Sequence, residues 1–320
     1  MATVSRRQLL VGAAATTAAT MLAGPAFPSL AAGRRFVGDP GRGRMHYGAS
    51  YPWKESLPAW ERQLGRHIGV RRSYFTGGQV DALLQRVRQD LVTARLPHVS
   101  TKAPTTWQAV ASGRKDDWLE NLLLRLKAVG GPVFLTLNHE PENDARGDGM
   151  RPSDWVAMQN RAIVKRRQLG AKNVSIVPVL MAWTYHPANP SPTKDWMVPG
   201  AQMLGMDCYN GWSPTNGEPW TSFKTRARHA MPYAGGRPIV IGEYGCRTPI
   251  RRPARAGDWM DAAFQWALSN NVVAMSFFNS PRHTADGTFE LDREREPVFK
   301  WLLNLPQVGV VINRRRVARC

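Results

Sequence analysis

Apolar and polar positions along the chain repeat one unit: a short apolar run, a loop carrying polar or aromatic side chains, then an amphipathic helical stretch. The apolar runs fall at 44–51, 70–75, 96–103, 132–140, 174–183, 203–210, 238–243 and 272–279. Their length and borders fit strands buried on both faces. Between them, Val80, Leu83, Leu84, Val87 and Leu91 recur at helical spacing, which buries one face. Leu119, Leu122, Leu123 and Leu126 do the same, with Gly130 placed for a left-handed C-terminal cap. Ser153 is placed as the N-cap of a helix ending at Gly170, residues 218–229 and 258–269 supply two more helices, and 298–303 begins the last. The proline-rich stretch 187–199 has room only for a short helix. Strands alternating with helices pair in parallel, because each crossover returns the chain to the same end. Eight such units predict an α/β protein closed as a single-domain (β/α)8 TIM barrel. A doubly wound open sheet would want a glycine-rich phosphate loop after the first strand, where Gly48-Ala49-Ser50-Tyr51-Pro52 stands instead.

The barrel is expected over 44–305, between a Gly- and Arg-rich lead-in at 33–43 and a basic tail at 306–320. Residues 1–32 read as a signal peptide of twin-arginine type. Ser5-Arg6-Arg7-Gln8-Leu9-Leu10 precedes an uncharged Ala-rich run, and Ser29-Leu30-Ala31 offers small residues for cleavage. Pro25 and Pro28 break that run, which weighs against a membrane anchor. The expectation is a chain exported already folded, secreted or cell-wall associated, with no stable anchor after cleavage. Three cysteines do not make a disulfide scaffold. Cys208 and Cys246, at the ends of neighbouring strand runs, are the pair that could meet.

Lys plus Arg exceed Asp plus Glu by 19, and by 17 once Arg6 and Arg7 leave with the signal. Such an excess favours electrostatic association with polyanions, an anionic cell-wall polymer among them. The charge is scattered, as at Arg71-Arg72, Lys165-Arg166-Arg167 and Arg251-Arg252, and no zinc-finger, helix-turn-helix or RNA-binding aromatic motif accompanies it. Nucleic acid is therefore not an expected partner.

Two strand runs end on a carboxylate. Residues 132–142, PVFLTLNHEPE, stay apolar to Leu137 and then turn polar at Asn138, His139 and Glu140, and residues 238–245, PIVIGEYG, deliver Glu243. In a barrel the loops after the C-terminal strand ends build the site, so residues closing each strand become neighbours. These are His46, Tyr47 and Tyr51, then Arg72, Tyr74 and Lys102, then Asn138, His139, Glu140 and Glu142. Trp183, His186, Asp207, Tyr209, Asn210, Glu243, Tyr244 and Asn279 follow. Two carboxylates facing each other can cleave a glycosidic bond, one giving a proton to the leaving oxygen and the other attacking the anomeric carbon. Their environments must differ for one to stay protonated and the other ionised. Tyr209 and Arg72 are candidates for keeping Glu243 charged, and His139 with the apolar base of its strand for keeping Glu140 protonated. Glu142 reads as a neighbour of the acid. Trp53, Trp107, Trp183, Trp212 and Trp220 fall in loops or at strand ends, where an indole can stack on a sugar ring. His139-Glu140-Pro141-Glu142 lacks the second His of a zinc helix motif, and no cofactor or metal is expected. A metal-dependent barrel would have to draw on His46, His139, Glu140 and Asp207. A catalytically idle barrel that binds cell-wall glycan through its aromatics is the other alternative.

Asn138-His139-Glu140 together with Gly242-Glu243-Tyr244-Gly245 resembles clan A of the glycoside hydrolases, most nearly family 26, the β-mannanase-like group. The resemblance implies a His just before the acid/base Glu, matched by His139 and Glu140, and a nucleophile Glu on the seventh strand, matched by Glu243. It implies retaining, endo-type hydrolysis of a β-linked polysaccharide of mannan or β-glucan kind. The chain departs from the family at Pro141-Glu142 and at Phe277-Phe278-Asn279, where a Trp is expected. The substrate-binding set expected around Glu140 and Glu243 is His139, Tyr209, Trp183, Asn138, Arg72, Tyr51 and Trp212.

Overall fold

A computed structural model describes residues 36–50, 56–281 and 287–311, all within one compact unit, Arg34–Cys320. Nine strand segments among these residues form a single parallel sheet. They are β1 (His46–Ser50), β2 (Val70–Phe75), β3 (Leu96–Thr101), β4 (Val133–Leu137), β5 (Val174–Ile176), β6 (Val179–Met181), β7 (Leu204–Tyr209), β8 (Ile239–Gly245) and β9 (Val272–Phe278). β1 lies between β2 and β9, and the order runs on to β5 at one end and β6 at the other. These two ends are the halves of the single fifth strand expected over 174–183. Pro178 has no N–H to give a ladder and interrupts it. The same stretch still reaches both neighbours: Val177 donates its N–H to Leu135 at 2.8 Å, and Pro178 accepts from Gly205 at 2.9 Å. The sheet thus closes on itself as an eight-stranded (β/α)8 barrel.

The helices are α1 (Leu57–Leu64), α2 (Val80–Val92), α3 (Trp107–Ala111), α4 (Asp116–Val129), α5 (Pro152–Gln168), α6 (Phe223–Ala227), α7 (Met231–Ala234), α8 (Ala254–Ser269) and α9 (Glu296–Leu303). In α2 the periodic residues Leu83, Leu84 and Val87 are buried, as their spacing requires. Gly130 ends α4 in the left-handed region at φ 81°. Three helices were not expected, α1, α3 and α7. All are too short to display a period, although Ser56 and Thr106 cap α1 and α3 through their hydroxyls. The helix read at 218–229 begins only at Phe223, because Ser222 caps it there and Pro219 lies in the preceding loop. α5 starts at Pro152, so Ser153 sits inside its first turn and Arg151 is the cap.

Strand alternation sorts Arg71 from Arg72. Arg71 points outward to Asp90 on α2 at 3.4 Å, and Arg72 points inward. Outside the sheet, Tyr47 packs on Phe264 and Phe299 and its hydroxyl meets that of Tyr244 at 2.6 Å. These two tyrosines therefore belong to the layer under the helices and not to the barrel mouth. His46 starts β1 at the opposite end from the strand termini, where its Nε2 lies 2.9 Å from the carbonyl of Gly38. Burial drives its pKa down to about 4. Cys208 and Cys246 are both free and buried, so they form no disulfide.

Candidate active site

β4 ends at Leu137 and the backbone then takes an unusual path. Asn138 and Glu140 both have left-handed φ, 50° and 46°. For residues other than glycine such a conformation costs roughly 1–3 kcal/mol and persists only where its surroundings hold it. Here they do. Asn138 accepts from the Ala103 N–H at 2.8 Å, its carbonyl accepts from Trp155 at 3.1 Å, and Glu140 donates its N–H to Val179 at 3.1 Å. Glu140 then caps a 3-10 turn, Pro141–Asn143, and accepts from the Asn143 amide at 3.0 Å.

Glu243 arrives differently, in the middle of a paired strand and only 5% exposed. Tyr209 donates its hydroxyl to Oε2. Arg72 Nε and His139 Nε2 each lie 3.9 Å from Oε1. Beside the glutamates lies a third acid, Asp207 of β7. The register shift at Met206/Asp207 leaves Gly242 of β8 as the extra residue, next to Glu243 and opposite Asp207. Gly242 leaves room for it, since a Cβ there would stand 2.5 Å from Asp207 Oδ1. Glu140, Asp207 and Glu243 bring one carboxylate oxygen each to within 4.8 Å of one another.

Three carboxylates so close cannot all be ionised cheaply in a buried site. Burial first, then the charges of Glu243 and Glu142, push Glu140 up to about 8. Asp207 is raised well above the usual carboxylate range by burial and by Glu243 and Glu140, with both of its oxygens unpartnered among the described residues. The counter-charge comes from Arg72, 1% exposed and with no hydrogen bond of its own among the described residues. The three oxygens would suit a hard cation, but the guanidinium beside them already supplies positive charge. Of the ligands a metal-dependent barrel would need, His46 lies at the other end.

His139 faces Glu243, not Glu140, which corrects its expected part in protonating the acid. Its Nδ1 lies 2.8 Å from the Ser100 hydroxyl, and burial lowers its pKa to about 4, so the ring is neutral. Glu142 is held through one oxygen, while its buried Oε2 has no hydrogen-bond partner among the described residues. Its Oε1 accepts from the Met181 N–H at 3.0 Å and from the Thr184 hydroxyl, and burial raises it to about 7.

No protein-family model matches the sequence, and no curated protein matches it. Solved structures do. An endo-β-1,4-mannanase double mutant from Cellulomonas fimi superposes with a TM-score of 0.59 at 12% identity, covering 85% of this chain and 74% of that one. A family 26 endo-β-1,4-mannanase catalytic domain from Bacillus sp. JAMB-750 gives 0.58 at 12%, covering 83% and 87%. A family 26 β-mannanase from Bacteroides ovatus gives 0.55 at 10%, covering 84% and 89%. The chain has the fold of the family 26 β-mannanases.

Around the carboxylates of this mannanase-like barrel, the other expected residues divide. Tyr209 is wedged against Phe278 at 5.8 Å and Phe289 at 5.1 Å between ring centres. Trp183 is 47% exposed on the 3-10 turn Ala182–Tyr185 and stacks on His186 at 4.8 Å. Trp212 meets Trp220 edge to face at 5.6 Å, and its carbonyl accepts from Arg247. Trp107 is fully buried and offers no face to a ligand. Asn138 is also buried, its amide committed to Ala103 and Asp144, and so acts by positioning the loop. Arg72 is beneath Glu243 rather than open to solvent. Tyr51 and Trp53 lie outside the described residues. Phe278 and Phe289 were missing from the expected set, and Asp207, read as a strand-end neighbour and as a ligand of the metal-dependent alternative, was not placed among the substrate-binding residues. Asp207 had a signal, because period 2 along β7 puts it on the same face as Tyr209. Phe289 had none, since its loop has no pattern to read.

Proposed function

We propose that the protein is a retaining glycoside hydrolase acting on a β-linked polysaccharide of mannan or β-glucan type. What carries the reading is the meeting of Glu140 and Glu243 with oxygens within 4.8 Å in opposite electrostatic settings. Retaining enzymes hold their carboxyl groups about 5–5.5 Å apart, whereas inverting ones leave about 6.5–9.5 Å for a water. In the first step the Glu243 carboxylate attacks the anomeric carbon as the bond to the leaving oxygen breaks, and Glu140 gives that oxygen its proton. In the second, Glu140 takes a proton from water, the water oxygen attacks the anomeric carbon, and Glu243 leaves as carboxylate. Tyr209 and Arg72 stabilise Glu243 as an anion in both. The fold shared with enzymes named endo-β-1,4-mannanases supports a polymeric β-linked substrate and internal cleavage. Trp183 and Trp212 are proposed as stacking platforms beside the pair. Residues 1–32 are proposed to export the folded chain by the twin-arginine route; among the described residues no helix is long and apolar enough to cross a membrane.

The test is hydrolysis of soluble β-mannan and of mixed-linkage β-glucan by the protein and by Glu140→Gln and Glu243→Gln. Turnover lost in both variants with glycan binding retained supports the reading. Binding with no turnover in the unaltered protein would favour an idle glycan-binding barrel.

A further inference from the structure

Every strand of the barrel runs the same way, so the long helices end at the floor, the end opposite Glu140 and Glu243. Helix C-termini favour cations, and the topology sums that preference over one face: Arg62 closes α1, Lys127 α4, Arg166 and Arg167 α5, and Lys300 α9. The helix dipole accounts for these side chains one by one. It does not account for the segments that join helix ends to strand starts, where Arg42, Arg44, Arg66 and Lys172 continue the same sign. Among the described residues of those segments Asp39 is the sole acid, and it is buried. Glu61 and Asp90, in the last turns of α1 and α2, are buried too and paired with Arg95 and Arg71.

The floor therefore exposes one sign of charge, and its cations are not neutralised locally. Arg66 is tied by its guanidinium to the carbonyls of Leu303 and Val308, and Arg44 is close enough to repel it. Chain ends add to the same face. Met45 pairs with Val308, and Val311 donates its N–H to Ala94 at 2.9 Å.

We propose that the barrel floor is a docking face for an anionic polysaccharide, a glycan carrying repeated carboxylate or phosphate groups, which holds the protein with its active-site mouth turned outward. Arginine suits both groups through paired N–H donors. The cations come from four helices, α1, α4, α5 and α9, and from the segments beside them, while α2 and α8 carry none in their last turns. Among the described residues no helix or ribbon projects from the floor to enter a nucleic-acid groove, so recognition of charge along a glycan fits better than recognition of bases. This inference does not depend on the roles of Glu140 and Glu243, because it is read by binding alone.

The test measures retention of the full chain on immobilised polygalacturonate, which carries carboxylates, and on poly(glycerol phosphate), with neutral dextran and duplex DNA alongside, across a salt series. The floor set Arg42→Glu, Arg44→Glu, Lys127→Glu, Arg167→Glu and Lys172→Glu is compared with a mouth-side set, Arg114→Glu, Arg146→Glu, Arg251→Glu, Arg252→Glu and Arg293→Glu. The expected result is salt-sensitive binding to one or both anionic glycans, weakened about 100-fold by the floor set and less than about threefold by the mouth set. Which glycan binds identifies the group recognised. Gln at the same five floor positions gives a smaller loss in the same direction and serves if the Glu set does not fold. Equal loss from floor and mouth sets, no retention on either anionic glycan, or tighter retention on duplex DNA would each overturn the proposal.

Discussion

The strand-4 corner and the strand-8 corner of the site hold the same kind of side chain by opposite means. Glu243 sits within β8 opposite Asp207 of β7, where the register shifts against both neighbouring strands, with a phenol donating to it and Arg72 and His139 at 3.9 Å. Glu140 stands past the end of its strand in a left-handed turn, with Asn143 as its one side-chain donor among the described residues and three acids, Glu142, Asp207 and Glu243, for neighbours. One environment surrounds its carboxylate with a hydroxyl donor and a guanidinium, and the other raises the pKa of its acid by burial and like charge. A division of labour between two chemically identical groups therefore needs no difference in residue type, only in what the backbone brings alongside.

Removing either member breaks the comparison outright. Glu243→Gln leaves no nucleophile, and turnover of soluble β-mannan falls by about 10⁴-fold or more, with substrate binding kept. Glu140→Gln removes the proton donor and costs about 10²–10⁴-fold in kcat. Tyr209→Phe takes away the hydroxyl that donates to Glu243 and lowers kcat/KM about 10–100-fold, the worth of a hydrogen bond to a charged group.

The pH dependence sharpens the contrast. Because Glu140 must be protonated and its pKa is raised to about 8, kcat/KM falls as pH rises through about 8. Glu142→Gln keeps an oxygen to accept from Met181 and Thr184 but removes a like charge. It moves that alkaline limb to lower pH and changes the maximal rate less than about tenfold. Stability follows the same linkage. Glu140 holds its proton in the folded state from about 4.5 up to about 8 while the unfolded chain loses it, so this group makes stability fall as pH rises across that window. Thermal unfolding should place Glu140→Gln above the unaltered protein by a margin that grows from pH 5 to pH 8. A margin independent of pH would mean that Glu140 is not held neutral.

Both corners could be read in advance to different depths. PIVIGEYG is an apolar run ending on a carboxylate, so strand, burial and Glu243 are local properties of the sequence, whereas the register shifts around Gly242 depend on both neighbouring strands. The helices with a full period, α2 and α4, are equally local. At the other corner the apolar run placed Glu140 at the mouth, but nothing local specified the left-handed turn, which depends on Val179, Ala103 and Trp155 from other units. His139 was accordingly given to the wrong carboxylate. Pro178 was visible as a residue, yet its effect, a strand split in two without opening the barrel, depends on both neighbouring strands. The charge of the floor was visible only as scattered arginines, because its coherence comes from the direction in which the helices run.

The most direct test of the paired-glutamate account is the anomeric configuration of the first product. Proton NMR is followed during cleavage of a β-1,4-linked manno-oligosaccharide, before mutarotation mixes the anomers. The proposed double displacement at Glu140 and Glu243 predicts that the β-anomer appears first and the α-anomer grows in only later. Initial release of the α-anomer would mean a single displacement by water, and would contradict Glu243 as the nucleophile.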